Sequence, residues 1–151
     1  MLSTLLRLSL LVACCVALTQ ARCKTIDQTT YIYRTLRPEE NCNRGLVPKD
    51  SRARKTVHEH VAFGSQRGFK SQFISTTTEL GIARKWQKRG RNLRIAKISR
   101  RDMLYADCSP YDLNSSHIVN QHLRDNKAKG FARASCEVVL RCTKPLKCHY
   151  L

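Results

Sequence analysis

The first regular pattern is at 29–36 (TTYIYRTL), a β-branched and aromatic run that predicts a strand ending before Pro38. Residues 41–50 are rich in turn formers, with Gly45 and Pro48. Over 51–63, Val57, Val61 and Ala62 fall on one side of a helical period, and Gly64 closes the segment. A short strand is predicted at 72–75. The next helix has a clear start, because Thr76 and Glu79 stand in capping-box spacing. Leu80, Ala83 and Trp86 form its apolar stripe, Lys85, Lys88 and Arg89 suit the negative helix C-terminus, and Gly90 ends it. Strands are predicted at 93–98 and 136–142 (CEVVLRC), and Ser135 is expected to extend the late strand on the face of Glu137 and Val139. There is no internal repeat, and the interleaving of strands and helices predicts a single α+β domain.

The first twenty-odd residues fit none of this. Arg7 precedes an apolar run at 8–18, and Thr19-Gln20-Ala21 places small residues where a signal peptidase cuts. The run is too short to cross a bilayer, which takes about twenty apolar residues. A signal peptide over 1–21 and a secreted domain over 22–151 are expected. Leu11-Val12-Ala13-Cys14 also allows a lipoprotein box that would leave Cys14 lipidated.

Cleavage near Ala21 removes Cys14 and Cys15 from the eight cysteines and leaves Cys23, Cys42, Cys108, Cys136, Cys142 and Cys148. An even number in an oxidising compartment predicts three disulfides, whose pairing spacing alone does not fix. A zinc site is the rival reading, but there is no C-x2-C pair. Asn114-Ser115-Ser116 is a glycosylation sequon, in keeping with a surface loop.

Charge changes the picture further. The 151 residues carry 28 Lys plus Arg against 11 Asp plus Glu, a formal net charge of +17. A large multi-domain enzyme and a multi-span membrane protein are excluded by length, and wholesale disorder by an apolar fraction of 42%. The surplus charge points to anionic partners. Nine Lys or Arg and no acid lie between Arg84 and Arg101, a candidate surface for heparin, nucleic acid or a microbial envelope. A solvated helix face is the plain reading of the same run. With 7% aromatic residues, stacking platforms for single-stranded nucleic acid are few. A small, basic, disulfide-bonded chain also fits a secreted ribonuclease, but no ribonuclease signature surrounds the five histidines.

Three separated pieces carry candidate chemistry: Tyr33-Arg34 in the first strand, Phe73-Ile74-Ser75-Thr76-Thr77 at a strand end, and Glu137 in the late strand. In this order they resemble the mono-ADP-ribosyltransferases, and most of all the catalytic chain of the heat-labile enterotoxin and cholera toxin group. YIYRTLRPEE followed by GLVPKD is similar to that group's opening strand and Gly-Leu-x-Pro turn. His58-Glu59-His60 with Gly64-Ser65-Gln66 and Gly68-Phe69 resembles the stretch before its Ser-Thr strand. The likeness spans roughly residues 31–140.

The resemblance implies a mixed β-sheet core in two sheets with flanking helices, and an enzyme that cleaves the nicotinamide–ribose bond of NAD. It would be a secreted mono-ADP-ribosyltransferase or NAD glycohydrolase, with NAD as substrate and no metal. Glu137 would stabilise the oxocarbenium-like transition state, and Ser75 would orient it. Arg34 would offer the pyrophosphate a bidentate fork. Thr76 and Thr77 would hold the strand-to-helix turn beside the nucleotide, and His60 falls where the group has a site histidine.

Each residue also has a plainer reading. Arg34 can be solvated, Ser75-Thr76-Thr77 can be a helix cap, Glu137 can pair with Arg141 or Arg133 across the sheet, and His60 can lie on a helix surface. His58, His117, His122 and His149 lack partners at metal-ligand spacing. Ser135, on the acceptor side, departs from the resemblance: arginine-modifying members carry Glu or Gln two residues before the catalytic Glu. A serine is no carboxylate base, so hydrolysis of NAD, or transfer to an acceptor other than arginine, fits better. A non-enzymatic cationic binding protein and an inactive pseudo-transferase are the alternatives.

Overall fold

A computed structural model describes residues 23–90 and 93–151. The expected signal peptide over 1–21 lies outside them, and so does Arg91 of the basic run. The strands are β1 (Tyr31–Thr35), β2 (Ile74–Thr77), β3 (Ile95–Ser99), β4 (Cys108–Asp112), β5 (Glu137–Cys142) and β6 (His149–Tyr150). The helices are α1 (Val57–Phe63), α2 (Leu80–Arg89), α3 (Arg100–Tyr105), α4 (Ser116–His122) and α5 (Asn126–Ser135).

The strands form one six-stranded sheet in the order β4-β5-β2-β1-β3-β6, and every pairing is antiparallel. This corrects the mixed, two-sheet core expected above. The reason is β5, which pairs along β2 on one side and β4 on the other and so joins them in a single sheet. Its run of Val138, Val139 and Leu140 is wholly buried, as a strand covered on both faces requires.

Alternation sorts the side chains between two cores. Ile32, Ile74, Ala96, Ile98, Val138 and Leu140 face one core, with Leu46, Met103 and Leu146 packed on them. Val139 faces the other, with Val57, Phe73, Leu113, Leu123, Ala128 and Ala132. Glu137 and Ser75 have the parity of Val139, so they share its face.

The disulfides join Cys23–Cys136, Cys42–Cys148 and Cys108–Cys142. The last links directly opposed residues of β4 and β5. No helix among the described residues is long and apolar enough to cross a membrane.

Two local expectations are corrected. The helix expected over 51–63 begins only at Val57, where Thr56 and Glu59 form a reciprocal capping box. Thr76 does not cap α2: it pairs with Val138 inside β2, and its hydroxyl donates to the Val138 carbonyl at 2.7 Å. Cross-strand pairing of Ser75, Thr76 and Thr77 wins over the local cap. The α2 N-cap is Glu79, whose side chain makes no capping bond, and Thr77 Oγ1 accepts the Glu79 N–H instead. The sequon Asn114 is part-buried in the turn after β4, with its amide nitrogen 3.4 Å from the Cys136 carbonyl.

Candidate functional site

Glu137 opens β5 directly opposite Thr77, and Ser75 lies two pairs further along β2, opposite Val139. Glu137 is 8% exposed. Burial pushes its carboxyl up to about 7, against the lowering effects of the Ser75 hydroxyl and the Arg34 charge. A carboxyl of this kind changes charge near neutrality.

Ser75 is held in turn by His60, the last-turn histidine of α1. Its Nε2 lies 2.7 Å from Ser75 Oγ and its Nδ1 2.7 Å from Ser71 Oγ. Burial, then the charges of Arg34 and Lys49, lower the His60 pKa to about 4, so the ring is neutral. A neutral ring donates from one nitrogen and accepts at the other. Ser71 Oγ already accepts the Phe73 N–H, at 3.4 Å. In the tautomer protonated on Nε2, that nitrogen donates to Ser75 Oγ, Nδ1 accepts from the Ser71 hydroxyl, and the Ser75 proton is left free. In that tautomer the hydrogen bonds run one way, from Ser71 through His60 to Ser75, whose hydroxyl lowers the Glu137 pKa.

This order gives two expected results. The His60 ring should stay neutral down to about pH 4, read by nitrogen NMR of the imidazole; protonation near 6.5 would break the proposed direction. Ser75→Ala removes a group that lowers the Glu137 pKa, so a carbon NMR titration should place that carboxyl above its value of about 7.

Arg34 is used differently from the expectation. Its Nε donates to both Glu40 oxygens at 3.2 Å and its Nη2 to Glu40 Oε1 at 2.9 Å, while Nη1 donates to the Ser75 carbonyl at 2.6 Å. Glu40 also accepts the Arg37 backbone N–H and Arg37 Nη2. Burial alone would raise the Glu40 pKa, yet Arg34 and Arg37 together hold it below the usual carboxylate range. The guanidinium thus ties β1 to the backbone of Ser75 and has few donors left for a ligand.

Thr76 points into the core opposite Glu137, and Thr77 holds the turn into α2. Ser135, expected on the strand, is instead the last residue of α5. Cys136 follows in the left-handed region at φ 43°, and the Cys23–Cys136 disulfide fixes this bend next to Glu137. The helix C-terminus, rather than a strand, therefore leads into the candidate catalytic residue.

The structure adds Ser71, Glu40, Arg37 and Lys49, which no sequence spacing marked. A cleft of about 600 Å³ adjoins the Arg34–Glu40 pair and is lined by Arg37, Arg44, Lys49, Phe69 and Lys70 among others. Four cations and an aromatic ring facing two carboxylates, Glu39 and Glu40, suit a ligand with anionic and planar parts. Among the described residues no group of three or more His, Cys, Asp or Glu is arranged to hold a metal. Compared with known proteins, the chain matches no family model, no curated protein and no solved structure.

Proposed function

We propose that the protein is a secreted enzyme that cleaves the nicotinamide–ribose bond of NAD, as an NAD glycohydrolase or as a mono-ADP-ribosyltransferase with a non-arginine acceptor. The observation that carries this reading is the buried Glu137 beside Ser75, whose hydroxyl is held by His60 at 2.7 Å and whose backbone carbonyl accepts from Arg34. In the reaction the C1′–nitrogen bond breaks and its electron pair leaves with neutral nicotinamide. The ionised Glu137 stabilises the positive charge that develops on the ribose. Water, or the acceptor, then bonds to C1′ and releases a proton. The cationic cleft beside Arg34 and Glu40 suits the pyrophosphate, with Lys49 and Arg37 as its contacts. Ser135, without a carboxylate, supports hydrolysis or a non-arginine acceptor. Three disulfides support a secreted chain. Release of free nicotinamide from NAD by the oxidised protein, with and without acceptors, tests the reading.

The charge supports a second reading that needs no catalysis: polyanion binding within 84–101. Its cations do not form one stripe. Arg94 stacks on Tyr150, Lys97 on Tyr31 and Arg101 on Tyr105, while Arg100 pairs with Asp27. Those on α2 are exposed.

A further inference from the structure

We infer that the outer face of α2 is a docking surface for a sulfated polysaccharide, an inference that rests on the polyanion reading and names its site and partner. The helix packs inward through Ala83, which is fully buried and whose carbonyl accepts the Thr35 hydroxyl at 2.8 Å. At 3.6 residues per turn, Arg84, Lys88, Lys85 and Arg89 follow one another over an arc of about 140° on the opposite side. All four are exposed. None of them appears in an ion pair among the described residues, and α2 contains no acid to neutralise them.

Arg84–Lys88 and Lys85–Arg89 are i,i+4 pairs, so the cations form two parallel rows on a helix about 15 Å long. A flexible polymer with closely spaced sulfates can meet both rows, and the two guanidiniums offer each sulfate a fork. The other polyanions fit less well. The exposed arc carries no aromatic ring for stacking bases and no apolar side chain to enter a lipid surface. Three disulfides point to an oxidising compartment, where sulfated glycans rather than nucleic acids are the abundant polyanions. Thr35, on which α2 rests, has the same strand parity as Tyr33, which lies opposite Thr77 in the row that contains Glu137. A polysaccharide on α2 would therefore lie on the same side of the sheet as the candidate site.

The experiment compares three oxidised proteins by calorimetry against a size-defined heparin oligosaccharide over a range of salt. These are the wild type, a variant with Arg84, Lys85, Lys88 and Arg89 all changed to Gln, and a charge-matched variant with Lys24, Arg67, Lys127 and Lys147 changed to Gln. All eight sites are exposed, so unchanged melting temperatures should confirm that both variants fold. The α2 variant should bind at least tenfold more weakly, with the slope of log K against log salt reduced by about 2–4, as loss of up to four neutralised charges requires. The matched variant should stay within about threefold of wild type. Equal losses in the two variants would assign binding to net charge alone and overturn the site. Equal affinity for desulfated oligosaccharide, or tighter binding of duplex DNA through the same four residues, would overturn the partner. Absence of salt-dependent binding to any polyanion would instead remove the polyanion reading and the inference with it.

Discussion

Glu137→Gln is expected to lower the rate of NAD cleavage about 10²–10³-fold, the usual cost of losing one preorganised electrostatic contact to a developing charge. NAD affinity should change little, because the cations of the adjoining cleft are untouched. Wild-type turnover should rise with pH through about 7, where Glu137 ionises. Stability should move the other way. The folded-state pKa of Glu137 is raised from 4.5 to about 7, so its contribution is fully present below about 4.5 and lost as pH rises through 7. The shift corresponds to about 3 kcal/mol. Gln carries no such titration: the variant should match wild type near pH 4.5 and be more stable by up to about 3 kcal/mol at pH 8. A variant both inactive and less stable at pH 8 would mark Glu137 as a structural residue.

His60 opposes this trend. Its pKa is lowered from 6.5 to about 4, so the stability it contributes is present above 6.5 and lost as pH falls through 4. Between the two limits the contributions of His60 and Glu137 partly cancel.

Arg34→Ala is expected to destabilise the fold by about 3–5 kcal/mol, the cost of breaking one side of a buried ion pair. Its side chain is 14% exposed and that of Glu40 5%, and the change also releases the Ser75 carbonyl. Arg34→Lys keeps the charge but cannot supply three directed nitrogens, so a smaller loss of about 1–3 kcal/mol follows. Replacing both partners, as Arg34→Met with Glu40→Leu, should recover much of the stability because no charge is left buried alone. Denaturant unfolding reads all three. If Arg34→Lys instead keeps full stability and only raises KM for NAD, the guanidinium contacts the ligand and its bracing role is wrong.

Where the fold was legible, local pattern and tertiary demand agreed. The β-branched and aromatic run of β1 and the buried apolar run of β5 declare themselves, and alternation along β5 already puts Glu137 on the face of Val139. Residues 100–135 gave no pattern. The strand β4 reads CSPYD, with a proline and an acid, and is held by pairing with β5 and by the Cys108–Cys142 disulfide. The helix α4 has no buried residue, and α5 packs through Ala128 and Ala132, too small to mark an apolar stripe. The site divides similarly. Ser75, Glu137 and His60 were accessible through the resemblance, whereas the claim of Glu40 on Arg34 and of Ser71 on His60 arises only from long-range packing. Ser135 was misplaced because the positive φ of Cys136 ends a helix where a continuous strand was expected.

The most direct test of the central claim is release of nicotinamide from NAD labelled in that ring. It is measured at pH 8 with the oxidised wild-type protein and with Glu137→Gln in parallel. The account predicts steady release by wild type and about 10²–10³-fold less by the variant, with similar NAD binding by both. A correctly oxidised wild-type protein that neither binds nor cleaves NAD would contradict it.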